Sequence, residues 1–265
     1  MQLFDSHAHL TFDKFSTDLD DVLQRALDNG VTRILTIGTQ PESSRDALYL
    51  AQQKPEQLRA SVGIHPLYVD SVKESVQHAW KIIEALAQQD HCVGIGETGL
   101  DYYYAKDPEI QALQRQLFRL HLKLAITLNK PVIVHIRDAF EDAFQITSEC
   151  GIPAGGVVHC FTGGIDECKR ALELGYHISL SGVVTFKNAQ NLKAAVPEIP
   201  LHRLLLETDA PFLAPTPYRG TRNEPSYVVE TARAVAAILE RPVEAIAQQA
   251  QENTCRLFNW PMHTV

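Results

Sequence analysis

Several common features are missing from the sequence, and each absence removes a class of protein. No apolar run approaches the ~20 residues that a membrane-spanning helix needs. The five cysteines, Cys92, Cys150, Cys160, Cys168 and Cys255, are odd in number and never form a CxxC pair. That argues against a disulfide framework and for a reducing compartment. The opening residues, Met1-Gln2-Leu3-Phe4-Asp5-Ser6-His7, hold neither a basic segment nor an apolar one, so no secretory leader is expected. These absences predict a cytoplasmic protein with no membrane association, and nothing points to an obligate protein partner. Positive charge is scarce too. A formal net charge of -8 argues against broad electrostatic wrapping of nucleic acid. It does not exclude a nuclease, because a metal site supplies its own positive charge where a phosphate binds. There is also no low-complexity tract, linker or shift in composition, so residues 1–265 read as one domain.

What recurs is a short β-rich apolar run followed by a longer amphipathic stretch. Eight such runs occur: Leu3–Ser6, Arg33–Ile37, Arg59–Ile64, Cys92–Gly96, Val132–His135, Gly156–His159, His177–Leu180 and Leu204–Glu207. Between them lie segments with apolar residues at helical spacing. In Asp18–Asn29 the stripe is Leu19, Val22, Leu23, Ala26 and Leu27, with Gly30 as a C-terminal stop. In Pro108–Leu128 it is Leu113, Leu117, Leu120, Leu124 and Leu128. Strands alternating with helices predict βα units and a parallel sheet. Eight units fit a closed (β/α)8 barrel, a TIM barrel in the α/β class. A doubly wound open sheet is the rival, but it usually has fewer strands and a Gly-rich first turn, which is absent here. Val243–Phe258 falls after the eighth unit and reads as an extra C-terminal helix covering part of the barrel.

In such a barrel, chemistry sits at the C-terminal ends of the strands. Five runs end there in residues able to bind metal. They are His7 and His9 after the first, Glu97 after the fourth, His135 at the fifth, His159 at the sixth and Asp209 after the eighth. His7 and His9 are two apart, which on a strand puts both imidazoles on one face. Glu97 has two oxygens and can join two cations at the separation of a two-metal site. His135 and His159 can hold the second cation. Asp209 closes the first site and is the best general-base candidate, so Asp209 and Glu97 are the expected catalytic carboxylates. An N-cap role, with Pro211 starting a helix, competes for Asp209.

A second tier consists of His65, Arg137, Glu207 and Arg222 as candidates for contacting substrate or supporting the ligands. His65, in Gly63-Ile64-His65-Pro66, reaches the same face. Arg137 can clamp a phosphate or pair with Asp138 or Glu97. Glu207 can orient a ligand histidine. Arg222, in Arg222-Asn223-Glu224-Pro225, can bind substrate or hold its loop. Tyr102, Tyr103 and Tyr104 follow the fourth run and can stack on bases or pack their own loop. His78, His121 and His202 lie in helix-like or loop contexts, and His263 lies near the chain end. These four are set aside.

The motifs Asp5-Ser6-His7-Ala8-His9-Leu10, Gly63-Ile64-His65-Pro66, Gly96-Glu97-Thr98-Gly99-Leu100-Asp101, Pro131-Val132-Ile133-Val134-His135, Val158-His159-Cys160-Phe161-Thr162-Gly163 and Glu207-Thr208-Asp209-Ala210-Pro211 occur in this order. Together they resemble the TatD family of metal-dependent hydrolases, over residue 5 to Asn253. The resemblance implies an amidohydrolase-type TIM barrel and a divalent-metal nuclease, in many members a 3′→5′ exonuclease on DNA or RNA. It places His7, His9 and Asp209 at one metal, Glu97 between the metals, and His135 and His159 at the other.

The leading expectation is therefore two-metal phosphodiester hydrolysis on single-stranded nucleic-acid ends. The His-rich set favours Zn2+ or Mn2+, and the resemblance also allows Mg2+. The alternative enzyme is a deacylase or amide or ester hydrolase, for example on D-aminoacyl-tRNA. Such relatives in the wider amidohydrolase group often use a carboxylated lysine on the fourth strand, and Cys92–Gly96 contains no lysine. A non-catalytic metal-binding barrel is the third reading, disfavoured by six convergent ligands and a candidate base.

Overall fold

The computed structural model describes residues 1–260. His263 lies outside them. In chain order the elements are β1 (Leu3–Ala8), α1 (Leu19–Asp28), β2 (Val31–Ile37), α2 (Pro41–Gln53), β3 (Leu58–Val62), α3 (Val69–Val72), α4 (Val76–Leu86), β4 (Cys92–Asp101), α5 (Pro108–Leu128), β5 (Val132–Arg137), α6 (Phe140–Cys150), β6 (Gly156–Val158), α7 (Ile165–Glu173), β7 (Tyr176–Leu180), α8 (Gln190–Ala195), β8 (Leu204–Leu206), α9 (Val228–Leu239) and α10 (Val243–Leu257). The eight strands pair in sequence order, every pair parallel. The segment after β8 closes the ring onto β1. Asp209 N donates to His7 O (2.9 Å) and His9 N to Ala210 O (2.7 Å). This is the (β/α)8 barrel that the alternation predicts. Among the described residues no helix is long and apolar enough to cross a membrane.

Side-chain alternation builds the barrel interior in layers. Ile133, Val157 and Leu205 belong to one apolar cluster with Phe4, Leu35 and Ile37. Two residues further along the same strands stand His135, His159 and Glu207. A period of 2 therefore stacks the polar layer directly on an apolar one. The floor of that apolar layer is Leu257, Phe258 and Trp260, from the end of α10 and just beyond it. The extra helix thus plugs the barrel end opposite the polar layer. Gly94 lets these layers pack closely, since a Cβ on it would stand 3.1 Å from Ile133 Cδ1 and 3.2 Å from Phe258 Cε1.

Two elements depart from expectation. β4 continues five residues past Gly96, because Thr98–Asp101 pair with Val134–Arg137 on β5. Between Ile95 and Thr98 the register slips: three steps on β4 face two on β5. This bulge re-aims the side chains between them, including Glu97. On α5 the leucine stripe is off-centre. The buried face is Gln114, Leu117, Phe118, His121, Leu122, Leu124 and Ala125, with Leu113, Leu120 and Leu128 flanking it. Helix limits follow local chemistry: Asp107 caps α5 by accepting from Glu109 N (2.9 Å), Pro108 occupies the first turn, and Asn129 ends it in the left-handed region (φ 50°).

The buried polar residues on α5 are structural. Gln114 Oε1 accepts from Asp101 N (3.0 Å), and its Nε2 donates to Pro66 O (3.1 Å). His121 Nδ1 donates to Leu117 O (2.7 Å), while Nε2 accepts from Ile64 N (3.0 Å). His121 is thus fixed as a neutral imidazole, and burial pushes its pKa down to about 4. In the unfolded chain it titrates near 6.5. Above pH 6.5 neither state binds the proton. Between 6.5 and 4 only the unfolded chain does, so His121 by itself removes about 3 kcal/mol of stability as the pH drops through that window and contributes no further change below it. Urea unfolding from pH 7.5 to 3.5 should show this loss. His121→Leu should start less stable yet slope less steeply, and parallel slopes in the two proteins would remove His121 as the cause.

Candidate metal centre

The strand ends converge on Glu97, whose side chain is 2% exposed. Its two oxygens face different partners. Oε2 lies 3.3 Å from His7 Nε2 and 3.6 Å from His9 Nε2. Asp209 Oδ1 approaches the same two nitrogens, at 3.8 Å and 3.3 Å. Oε1 lies 2.8 Å from His159 Nε2 and 3.4 Å from His135 Nδ1, and those two nitrogens are 3.3 Å apart. The His7 and His159 rings stack at 3.9 Å, so the two groups abut. The six residues expected from the sequence are thus brought together: four histidines surround the Glu97 carboxylate, and Asp209 reaches two of them. Close approach of the backbone makes this possible: a Cβ on Gly63 would stand 2.6 Å from the Gly96 Cα, one residue before Glu97.

The free nitrogens of the second pair are tied down by carboxylates. His135 Nε2 donates to Asp101 Oδ2 (3.2 Å), and His159 Nδ1 donates to Glu207 Oε1 (3.3 Å). This fixes each ring so that its other nitrogen points at Glu97. Glu207 also accepts from Cys160 N (2.8 Å) and is fully buried behind His159. It orients a ligand candidate and, contrary to its place among substrate contacts, does not line the mouth. Asp209 sits in the left-handed region, φ 58°, and its carbonyl accepts from Phe212 N (2.9 Å). The chain turns there, and the helix start at Pro211 weighed above does not form.

The remaining candidates separate clearly. His65 is brought in: Nδ1 accepts from Leu67 N (3.0 Å), so the proton sits on Nε2, which donates to Glu97 Oε1 (3.0 Å). In that tautomer His65 is a donor to the centre and not a ligand, although proximity alone groups it with Glu97 and His135. Arg137 is half-buried at the rim, its guanidinium 3.9 Å from the Tyr103 ring centroid. It pairs with neither Glu97 nor Asp138 among the observed contacts. Arg222 serves its loop, donating to both Asp18 oxygens (2.8 and 2.7 Å) and to Lys14 O (2.6 Å). Tyr102 packs its loop, donating to Asp142 Oδ2 (2.6 Å).

The electrostatics call for added positive charge. Burial alone would raise the Glu97 carboxyl, but His65, His159 and His7 together with the His135 hydrogen bond hold it well below the usual range. Burial likewise raises Asp209, and His9, His7 and His159 outweigh it. Burial lowers His159, yet Glu97 and Glu207 draw it well above the ordinary histidine value. The buried carboxylates thus pull protons onto imidazoles, a role that a divalent cation would take over with the rings neutral. Glu97 Oε2 is buried without a hydrogen-bond donor. An orphaned carboxylate oxygen facing two imidazoles and a second carboxylate fits a cation.

A family model described as TatD related DNase matches residues 4–259. The chain belongs to the TatD family. Two relatives align along nearly their whole length. The uncharacterized metal-dependent hydrolase YabD of Bacillus subtilis is 42% identical over 97% of this chain and 98% of its own. The uncharacterized metal-dependent hydrolase YcfH of Escherichia coli is 39% identical over 98% of this chain and 96% of its own. Among solved structures, YJJV, a TatD homologue from E. coli, superposes with a TM-score of 0.91 at 31% identity, covering 98% of both chains.

Two residues of this TatD site escaped the sequence reading of roles. Asp101 stands in a quoted motif, but nothing local shows that it reaches His135. Asp5 accepts from His7 N (3.3 Å) and from Thr208 N (2.9 Å) and its hydroxyl, joining β1 to the turn that carries Asp209. Burial pushes its carboxyl up to about 8 despite those donors. Its signals were its place two residues before His7 and in the first quoted motif.

Proposed function

We propose that this TatD-family chain is a metal-dependent phosphodiesterase that trims single-stranded nucleic acid from the 3′ end. The observation that carries the reading is Glu97, one buried carboxylate whose two oxygens face two adjoining pairs of histidines. His7, His9 and Asp209 would hold one divalent cation with Glu97 Oε2. His135 and His159 would hold another with Oε1. Zn2+, Mn2+ and Mg2+ are the candidates. Divalent cations held there would supply electrophilic activation of a phosphodiester and of a water.

The chain's own residues do the rest. Asp209 is ionised and reaches the mouth with 12% of its side chain exposed, so its carboxylate takes the proton from the attacking water. His65 holds a proton at Nε2 beside Glu97. Asp101 and Glu207 lock the rings of His135 and His159. Arg137 places a cation at the rim, where a substrate phosphate arrives. β4 contains no lysine that could be carboxylated to bridge two metals, and Glu97 is its carboxylate between the two histidine pairs.

The test is side-by-side hydrolysis by protein stripped of metal and reloaded with Mn2+, Mg2+ or Zn2+. Single-stranded DNA and RNA labelled at the 5′ end should shorten stepwise, and EDTA should stop the reaction. Cleavage of a D-aminoacyl-tRNA ester, with both oligonucleotides untouched, would replace this reading by the deacylase.

A further inference from the structure

Resting on the nucleic-acid reading above, we propose that the mouth of the centre is a two-sided clamp for a single strand. One unpaired base stacks against one of the Tyr103 and Tyr104 rings, which meet edge-on at 4.8 Å, and a second stacks on Phe212, and the strand between them crosses the metal centre.

The exposed aromatic side chains carry the inference. Among the described residues these are Tyr49, Tyr103, Tyr104, Phe212 and Tyr218. Only Tyr49 lies on an outer helix. Tyr103 and Tyr104, 47% and 60% exposed, follow β4, and Phe212, 41% exposed, follows β8. In a ring of eight consecutive strands, β4 and β8 face each other across the mouth. The two platforms therefore stand on opposite rims of the same opening.

Each platform is fastened to the centre. Tyr104 N donates to Asp101 Oδ1 (2.9 Å), while the other oxygen of that carboxylate holds His135. Across the mouth, His9 stacks on Phe12 at 4.8 Å, and Phe12 meets Phe212 edge-on at 5.8 Å. Each platform also carries a cation. Arg137 lies 3.9 Å from the Tyr103 centroid and 4.9 Å from that of Tyr104, and Lys14 Nζ lies 5.5 Å from the Phe212 centroid. An exposed ring with a cation on it selects a planar group joined to an anion, which is a nucleotide. Two such sites on either side of the phosphodiester chemistry select an occupant with at least two bases. Base-paired strands hide the faces that the rings would cover, so the occupant is single-stranded.

Binding of a hydrolysis-resistant phosphorothioate hexathymidylate to Mn2+-loaded protein tests this. Tyr103→Ala/Tyr104→Ala and Phe212→Ala should each weaken binding by about tenfold, within the range of lost base stacking, and the combined variant by the product. Tyr49→Ala, more exposed but remote, should bind as wild type. All these positions are surface positions, so folding is preserved. Binding within twofold of wild type in either rim variant overturns the clamp. If the oligomer is held by both rims but no phosphodiester is cleaved, the clamp stands and the nuclease reading falls. If cleavage proceeds with rim variants binding normally, the reverse holds.

Discussion

Asp209→Asn should lower kcat by ~10²–10⁴-fold, the range for a positioned general base, while the barrel and most of the bound metal persist. Asparagine keeps the shape and one oxygen of the side chain, so the donor set with His7 and His9 is largely retained. It cannot accept a proton. Two observations favour Asp209 over Glu97 for this proposed role. Its side chain is 12% exposed where that of Glu97 is 2%, so only Asp209 can meet a water arriving from the mouth. Its left-handed backbone, φ 58°, is an unfavourable conformation for a non-glycine residue, and it turns the carboxylate back over β1. Steady-state kinetics, metal analysis and a thermal melt on the same preparation decide the matter. Near-normal kcat with full metal would move the base to another group. Loss of metal along with activity would make Asp209 chiefly a ligand.

How much of this was legible depended on whether a signal was local. His7 and His9 were readable because an i, i+2 pair on a strand shares a face whatever else the fold does. His135, His159 and Glu207 were readable because each follows an apolar run in phase, and the barrel stacks that phase into layers. Strand β4 was cut short at Gly96 because glycines resemble a strand end, and a bulge is defined only against the partner strand. Asp101 was therefore left outside the site it supports. Asp5 grips Thr208, 203 residues away, and no local pattern encodes that contact. The leucine stripe on α5 misjudged the buried face for a related reason. Gln114 and His121 are polar in sequence, yet backbone groups from β4 and the loop after β3 satisfy them in the interior. Arg222 was ambiguous until its partner Asp18 appeared across the barrel closure.

Glu97→Gln should bring the largest combined loss. Activity should fall by more than ~10²-fold, as for removal of one preorganised electrostatic group, and bound metal should drop from two ions per chain to one or none. Glutamine keeps one oxygen and replaces the other with an NH2 that must turn either to His7 and His9 or to His135 and His159. Whichever set receives it loses its anionic oxygen, and at 1% residue exposure no water can take that place. The effect should also appear in stability. An ion that binds only the folded chain adds about 3 kcal/mol at 100 times its dissociation constant, which for a chain this size raises Tm by roughly 5–10 °C per ion. Chelation should therefore lower the wild-type Tm by more than it lowers that of Glu97→Gln. Metal analysis at saturating Mn2+ gives the sharper outcome. Two ions retained in Glu97→Gln would mean that the donor sets hold their cations independently, and the shared-carboxylate account of this centre would be wrong.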